Sequence, residues 1–177
     1  MIISVDVGYT KTKSVSRYGR RMFSSTVKEG SIDINKSIIV EFGGVEYTIG
    51  EKGAFSVDLN KIQDQTFQLC LYTAILQHMQ YNTDDINLVT GLPIAYYSNQ
   101  KHSLVEELQG KEVFMKYNGT NKIFTINRCL VFPQSAGLFV LYPELFKGDV
   151  IVIDIGGMTV DVSYFEGLKL IKYATIS

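Results

Sequence analysis

The stretch Ile151-Val152-Ile153-Asp154-Ile155-Gly156 is an apolar segment that ends in an acid, one further residue and a glycine. The same pattern occurs 148 positions earlier, as Ile3-Ser4-Val5-Asp6-Val7-Gly8, and each copy continues into a turn and a second strand-like segment. Internal similarity at a fixed offset is typical of a duplicated structural unit. We therefore expect two similarly folded halves that face each other, with this chain containing the first half and only the opening of the second.

The glycines of these two segments indicate a phosphate-binding site. A glycine two residues after Asp6 or Asp154 lets the main chain turn sharply and approach a ligand closely. Open α/β sheets bind ligands at the carboxyl ends of their strands, and the N–H groups of a glycine-containing turn suit phosphate oxygens. A single Asp-x-Gly is more often an ordinary turn. Two in matching context favour one polyphosphate held between two turns, with Mg²⁺ bound by the carboxylates largely through water.

Other nucleotide and metal signatures are missing from the sequence. It contains neither Gly-x4-Gly-Lys-Ser/Thr nor Gly-x-Gly-x-x-Gly, so neither a P-loop nor a dinucleotide-binding fold is supported. The two histidines, His78 and His102, have no second ligand at metal-like spacing, so we expect no zinc site. Cys70 and Cys129 have apolar neighbours, which is typical of buried free thiols.

The composition is that of one packed domain, or of one domain and part of another. Of the 177 residues, 46% are hydrophobic and 20% are charged, which excludes disorder as the main state. Seventeen Lys and Arg against 18 Asp and Glu give a net charge of -1, so we expect no direct binding to nucleic acid. No apolar run approaches the roughly 20 residues of a membrane span, and no signal peptide is recognisable. We therefore expect a cytoplasmic protein without membrane contact.

Alternating strand, turn and helix patterns predict a mixed α/β fold with hairpins. Turns are expected at Gly19-Arg20-Arg21, Gly43-Gly44 and Asn118-Gly119. Helices are expected over about 59–80, over 98–108 and from Pro133 to about position 142. The expected strands cover 2–7, 13–18, 22–28, 37–42, 45–49, 86–90, 113–117, 122–127, 129–132, 149–154, 160–165 and 168–175.

Several segments carry a resemblance to a known superfamily. Asp6-Val7-Gly8-Tyr9-Thr10-Lys11-Thr12-Lys13 resembles the first phosphate loop of the actin, chaperone and sugar kinase superfamily, and Asp154-Ile155-Gly156-Gly157-Met158-Thr159-Val160-Asp161 resembles its second. Phe132-Pro133-Gln134-Ser135-Ala136-Gly137 falls where that superfamily has its connecting helix. Thr90-Gly91-Leu92-Pro93-Ile94-Ala95-Tyr96-Tyr97 and Tyr47-Thr48-Ile49-Gly50-Glu51-Lys52 are similar to segments of ParM/StbA plasmid-segregation proteins and archaeal actin-like proteins.

The resemblance implies a ribonuclease H-like α/β fold of the actin-like ATPase type, with a mixed sheet flanked by helices and hairpin insertions. Residues 1–147 would form actin-like domain I, with small hairpin insertions near 33–60 and 111–127, and residues 148–177 the opening strands of a truncated domain II. The implied function is that of the N-terminal part of a bacterial filament-forming ATPase in plasmid segregation. It would use ATP or GTP with Mg²⁺, self-associate into filaments and contact DNA through a centromere-binding adaptor protein.

The resemblance also implies a role for each matching residue. Asp6 and Asp154 would order Mg²⁺ and its waters, and Lys13 would reach the β-phosphate. The other phosphate-binding groups, from backbone or hydroxyl donors, would be Gly8, Tyr9 and Thr10 on one side and Gly156, Gly157 and Thr159 on the other. Gln134 and Asp154 would be the catalytic residues, with the amide of Gln134 positioning the attacking water without taking its proton.

The sequence departs from the family pattern at two of these places. Position 11 is Lys where relatives often have Asn or a small residue, and position 134 is Gln where some plasmid relatives have Glu. The family's adenosine-binding segments lie beyond residue 177, so we expect no recognition of the base and little or no hydrolysis by this chain alone.

Two other functions remain open at this point. A small-molecule kinase of the same superfamily needs a carboxylate base aimed at a substrate hydroxyl, and the sequence offers no isolated acid beyond Asp6 and Asp154 in a comparable position. A non-enzymatic interaction fragment needs no catalytic group at all. Tight ATP binding by the chain would count against that second alternative.

Overall fold

The computed structural model describes residues 1–30, 37–51, 53–55, 64–134 and 137–176. Its helices are α1 (Gln65–Leu76), α2 (Ile94–Leu108) and α3 (Gly137–Leu141), with a 3₁₀ helix at Pro143–Lys147. Its strands are β1 (Ile2–Val7), β2 (Lys11–Ser16), β3 (Gly19–Ser24), β4 (Thr26–Glu29), β5 (Ile38–Phe42), β6 (Val45–Ile49), β7 (Ala54–Phe55), β8 (Thr83–Leu92), β9 (Glu112–Tyr117), β10 (Thr120–Pro133), β11 (Asp149–Ile155), β12 (Val160–Glu166) and β13 (Lys169–Ile176).

The larger sheet has ten strands in the order β3-β2-β1-β8-β10-β9-β5-β6-β4-β7. β1 and β10 both pair parallel with β8, so the carboxyl ends of these three strands meet at one edge. Asp6 lies near the end of β1 and Gln134 directly follows β10. The central parallel strands therefore bring the first Asp-x-Gly turn to the edge where open α/β sheets bind ligands.

Helix α1 packs against β1, β2 and β4 and is buried almost all round. Nine of its twelve residues are buried, which is the pattern of a core helix. Asp64 caps it by accepting a hydrogen bond from the Thr66 N–H at 2.9 Å. The helix expected over 59–80 is confirmed in type but ends at Leu76, and positions 59–63 lie outside the described residues.

The two cysteines are buried free thiols, as expected from their neighbours. Burial raises the pKa of the Cys70 thiol to about 12 and that of the Cys129 thiol to about 11. Both side chains are therefore protonated at neutral pH and act as small apolar core residues.

The smaller sheet is the antiparallel meander β11-β12-β13. It packs on a cluster formed by Ile94 of α2, Phe146 of the 3₁₀ helix, Val152 and Phe165. Phe139, Phe146 and Phe165 contact one another edge to face, with ring centroids 4.1 to 5.7 Å apart. These aromatic contacts attach β12 to α3 and to the 3₁₀ helix, and Ile94 joins the same cluster from the start of α2.

The β2–β3 hairpin has its turn earlier than expected. Ser16 pairs with Gly19, so Arg17 and Tyr18 form the turn and Gly19 begins β3. Gly19 has a φ of 109°, a conformation that glycine adopts without steric cost. This conformation lets the chain leave the two-residue turn and begin β3. The strand expected over 22–28 is divided into β3 and β4.

The strands expected over 122–127 and 129–132 form one strand, β10. Its register on β8 shifts between Ile126 and Arg128, so a bulge at Asn127 bends the strand without ending it. The helix expected from Pro133 to about position 142 is present as α3, Gly137–Leu141. Pro133 itself is the last residue of β10, and positions 135–136 lie outside the described residues. α2 begins at Ile94, four residues before the expected start, immediately after Pro93.

Candidate functional site

A cleft of about 850 Å³ lies between the β1–β2 hairpin and the β11–β12 hairpin. The ends of β8 and β10 contribute Gly91 and Pro133 to its lining. Every site residue predicted from the sequence lines this cleft: Asp6, Gly8, Tyr9, Thr10, Lys13, Gln134, Asp154, Gly156, Gly157 and Thr159. Residues separated by up to 153 positions are thus gathered around one cavity.

The β1–β2 hairpin is closed by a tight backbone turn. The Gly8 N–H donates to the Lys11 carbonyl at 3.1 Å. A Cβ at position 8 would lie 2.9 Å from that carbonyl oxygen, so only glycine fits. Asp6 pairs with Lys13 across the hairpin, which places a carboxylate and an exposed ammonium group at the same level of the cleft.

The β11–β12 hairpin repeats this geometry. The Gly156 N–H donates to the Thr159 carbonyl at 2.8 Å, and a Cβ at position 156 would lie 3.1 Å from that oxygen. Gly156 and Thr159 stand 148 positions after Gly8 and Lys11. The duplication expected from the sequence is therefore present in the backbone of both turns.

The two hairpins contact each other at the cleft. A Cβ built on Gly157 would lie 2.2 Å from both Oγ1 and Cγ2 of Thr10. No side chain fits in that space, so glycine at position 157 allows the hairpins to approach this closely.

Gln134 connects the end of β10 to Asp6. Its Nε2 donates to Asp6 Oδ1 at 3.0 Å, and an amide must present its nitrogen here because an ionised carboxylate only accepts hydrogen bonds. Asp6 is half-buried, whereas Asp154 is exposed. A second cavity of about 10 Å³, roughly the space of one water molecule, is lined by Gln134, Asp154 and Asp161 among others.

Asp161 and Gly91 are among the cleft residues that were not predicted as site residues. Asp161 pairs with Asp154 across the second hairpin and accepts a hydrogen bond from the Thr175 hydroxyl. The repeat gives the signal for it, because the 148-residue offset aligns Asp161 with Lys13. Gly91 lies against Gln134, a contact that depends on the pairing of β8 with β10 and leaves no local pattern.

Neither a membrane-spanning helix nor a metal-binding cluster of side chains occurs in the described part of the chain. No helix there is long and apolar enough to cross a membrane. No group of three or more His, Cys, Asp or Glu side chains in those ranges could hold a metal ion.

Comparison with known proteins places the fold. Residues 4–137 match the family described as actin like proteins N terminal domain, whereas no curated protein sequence matches the chain. The archaeal actin homologue Ta0583 has a TM-score of 0.79 at 22% identity, with 96% of this chain and 58% of that one covered. The apo pSK41 ParM structure has a TM-score of 0.81 at 14% identity, with 99% of this chain and 65% of that one covered. The AlfA filament bound to AMPPNP has a TM-score of 0.77 at 19% identity, with 99% of this chain and 69% of that one covered.

These matches confirm the expected α/β fold of an actin-like domain. The chain spans about three fifths of the length of Ta0583. A further structure of Ta0583 is a complex with ADP, with a TM-score of 0.80 at 19% identity and coverage of 96% and 57%. Because the family match covers most of its residues, the chain belongs to the actin-like proteins through their N-terminal domain.

Proposed function

We propose that this chain is the phosphate-binding part of an actin-like ATPase, which holds the phosphates of ATP or GTP between its two Asp-x-Gly hairpins. The observation that carries the proposal is the single cleft lined by all the predicted site residues of both hairpins. Ta0583 complexed with ADP and AlfA bound to AMPPNP support nucleotide as the ligand.

The carboxylates and the N–H groups that line the cleft suit a polyphosphate with bound Mg²⁺. Mg²⁺ usually keeps several waters and binds one or two carboxylates together with substrate phosphates, and Asp6 and Asp154 supply those carboxylates. Lys13 and the backbone N–H groups of the two turns, other than those of Gly8 and Gly156 that donate within their own turns, are the groups that would bind phosphate oxygens. Mg²⁺ would neutralise charge on the phosphates, while the chain's own residues fix their position.

Gln134 is suited to position water for hydrolysis. Since its Nε2 donates to Asp6, its Oε1 remains to accept a hydrogen bond from water. The small cavity beside Gln134 and Asp154 is where we place that water. The amide orients the water without taking its proton, so we assign Gln134 and Asp154 as the catalytic residues.

The whole protein would act as a filament in plasmid segregation. We assign residues 1–147 to domain I, with hairpin insertions near 33–60 and 111–127, and 148–177 to the opening of domain II. Positions 33–36, 52 and 56–60 of the first insertion lie outside the described residues. The relatives support filament formation, because AlfA and Alp12 were solved as filaments. The net charge of -1 supports a separate adaptor protein for the DNA contact, and plasmid segregation would place the protein in the cytoplasm.

Equilibrium binding of Mg-ATP and Mg-tripolyphosphate to the chain tests the proposal. If the hairpins bind phosphates without help from a base-binding segment, both ligands should bind with similar affinity and compete with each other. Asp154→Ala should abolish Mg-dependent binding of both and leave the fold intact, because Asp154 is exposed. Failure of both ligands to bind the unaltered chain would refute the phosphate site.

A further inference from the structure

We infer that Gly91 is a positioning residue for Gln134, because the absence of a side chain at position 91 lets the Gln134 amide reach Asp6. The catalytic meaning of this contact rests on the function proposed above. The contact itself can be tested without nucleotide.

Gly91 lies next to the last residue of β8 and pairs with Phe132 of β10. A Cβ built on it would lie 3.0 Å from Gln134 Cγ, while the next neighbour, the Phe132 carbonyl, is 3.6 Å away. Carbon atoms pack best at about 3.5–4.0 Å. An alanine at position 91 would thus require Gln134 Cγ to move away by a few tenths of an ångström.

The conformation of Gly91 gives no other reason for glycine. Its φ is not in the positive range that disfavours side chains, unlike that of Gly50 or Gly110. Glycine inside a strand weakens it and often marks a close approach by another group. The group that approaches here is Gln134.

The atoms around Gln134 make its placement sensitive to such a shift. The Gln134 Nε2 to Asp6 Oδ1 distance is already 3.0 Å, so a displaced Cγ would lengthen or misalign that hydrogen bond. The β1 backbone next to Asp6 is also held by this end of β8, because the Thr90 hydroxyl donates to the Val5 carbonyl at 2.9 Å in the buried β1–β8 interface. The end of β8 therefore acts on both sides of this hydrogen bond: Thr90 holds the backbone beside Asp6, and Gly91 leaves room for the Gln134 side chain.

The direct test follows the side-chain amide resonances of Gln134 in ¹⁵N-labelled full chain, assigned through Gln134→Ala. We expect Asp6→Ala to move these resonances toward those of exposed glutamines, and Gly91→Ala to do the same. The matched control is Gly148→Ala, because Gly148 has a φ of -134° and no atom within 4 Å of a built Cβ. The control should leave the Gln134 resonances unchanged.

A double-mutant comparison separates positioning from a general structural effect. In a protein that carries both domains, Gly91→Ala should lower phosphate release from Mg-ATP about tenfold, with a much smaller change in Mg-tripolyphosphate affinity. In the Gln134→Ala background the Cγ is gone, so Gly91→Ala should cause no further loss. An equal loss in both backgrounds would overturn the inference.

The failures of the two proposals are distinguishable. If Asp6→Ala or Gly91→Ala leaves the Gln134 resonances at the positions they have in the unaltered chain, the positioning role is wrong, whatever the ligand-binding measurements show. If those resonances respond as expected but neither Mg-ATP nor Mg-tripolyphosphate binds, the phosphate site is wrong and the contact between Gly91 and Gln134 stands.

Discussion

At the residue scale, the closest contact between the two hairpins is that of Gly157 with Thr10. A methyl group on Gly157 would overlap the Thr10 side chain at 2.2 Å, far inside any real carbon contact. Since neither hairpin can yield without shifting backbone, this position decides how closely the two phosphate-binding turns approach.

Gly157→Ala should therefore force the hairpins apart. We expect the free energy of unfolding to fall by about 1–3 kcal/mol, the usual cost of overpacking, and Mg-tripolyphosphate binding to weaken. Chemical denaturation and binding titrations measure the two effects. Thr10→Gly in the same chain removes the overlapping atoms and should restore stability; an unaltered Gly157→Ala protein would mean that the hairpins are not in contact.

A second residue-scale prediction concerns His78, which is fully buried between two serines of β2. Its Nε2 lies 3.0 Å from Ser14 Oγ and its Nδ1 2.8 Å from Ser16 Oγ. Burial, together with the nearby Arg21 charge, lowers the pKa of His78 from its ordinary value of 6.5. The unfolded chain thus binds a proton near pH 6.5 that the folded chain binds only at lower pH, so stability is lost as the pH falls below 6.5.

Unfolding titrations of the His78→Gln variant at pH 7.5 and pH 5.5 should show a weaker loss of stability on acidification than the unaltered chain. The matched control is His102→Gln, because His102 is exposed and should keep the original pH dependence. If His78→Gln retains the full loss, another group is responsible for it.

At the element scale, the sequence patterns predicted most of the helices and strands. The predicted limits were wrong where an element begins or ends because of its pairing with a distant strand. Local chemistry identifies both Asp-x-Gly turns, because a Cβ at position 8 or 156 would crowd the carbonyl oxygen three residues later in its own turn. In contrast, the sequence pattern around Asn127 is typical of the end of a strand. In the structure Asn127 is a bulge within β10, because β10 pairs with β8 on both sides of it. The contact of Gly91 with Gln134 bridges 43 positions and is likewise set by that pairing.

The aromatic cluster of Phe139, Phe146 and Phe165 is the element-scale feature that holds the smaller sheet. Phe146 is 4% exposed and contacts both other rings. Phe146→Ala should cost about 3–5 kcal/mol of local stability, the usual penalty for an emptied phenylalanine site. Hydrogen exchange should accelerate in β11, β12 and β13 and remain slow in β1 and β8, whereas uniform acceleration would show that both sheets unfold together.

At the scale of the whole molecule, one face of the smaller sheet is apolar and uncovered. Ile151, Ile153 and Ile155 alternate along β11 on the same face and are 60 to 77% exposed. Exposed apolar faces and unpaired strand edges promote association between copies. We expect sedimentation velocity to show concentration-dependent dimers or larger species.

Ile153→Lys should shift this association toward monomer. Ile2→Lys is the matched control, because Ile2 is similarly exposed at 69% but lies on β1 of the larger sheet. A monomer at all concentrations, or an equal effect of both lysines, would show that the β11 face does not mediate association.

In the function proposed for this chain, the two hairpins bind one polyphosphate together. Titration of ¹⁵N-labelled chain with Mg-tripolyphosphate, followed through the backbone amides, tests that claim most directly. We expect Gly8 and Thr10 of the first hairpin and Gly156 and Gly157 of the second to shift together along one saturable curve. Shifts confined to one hairpin, or separate curves for the two, would contradict a shared phosphate site.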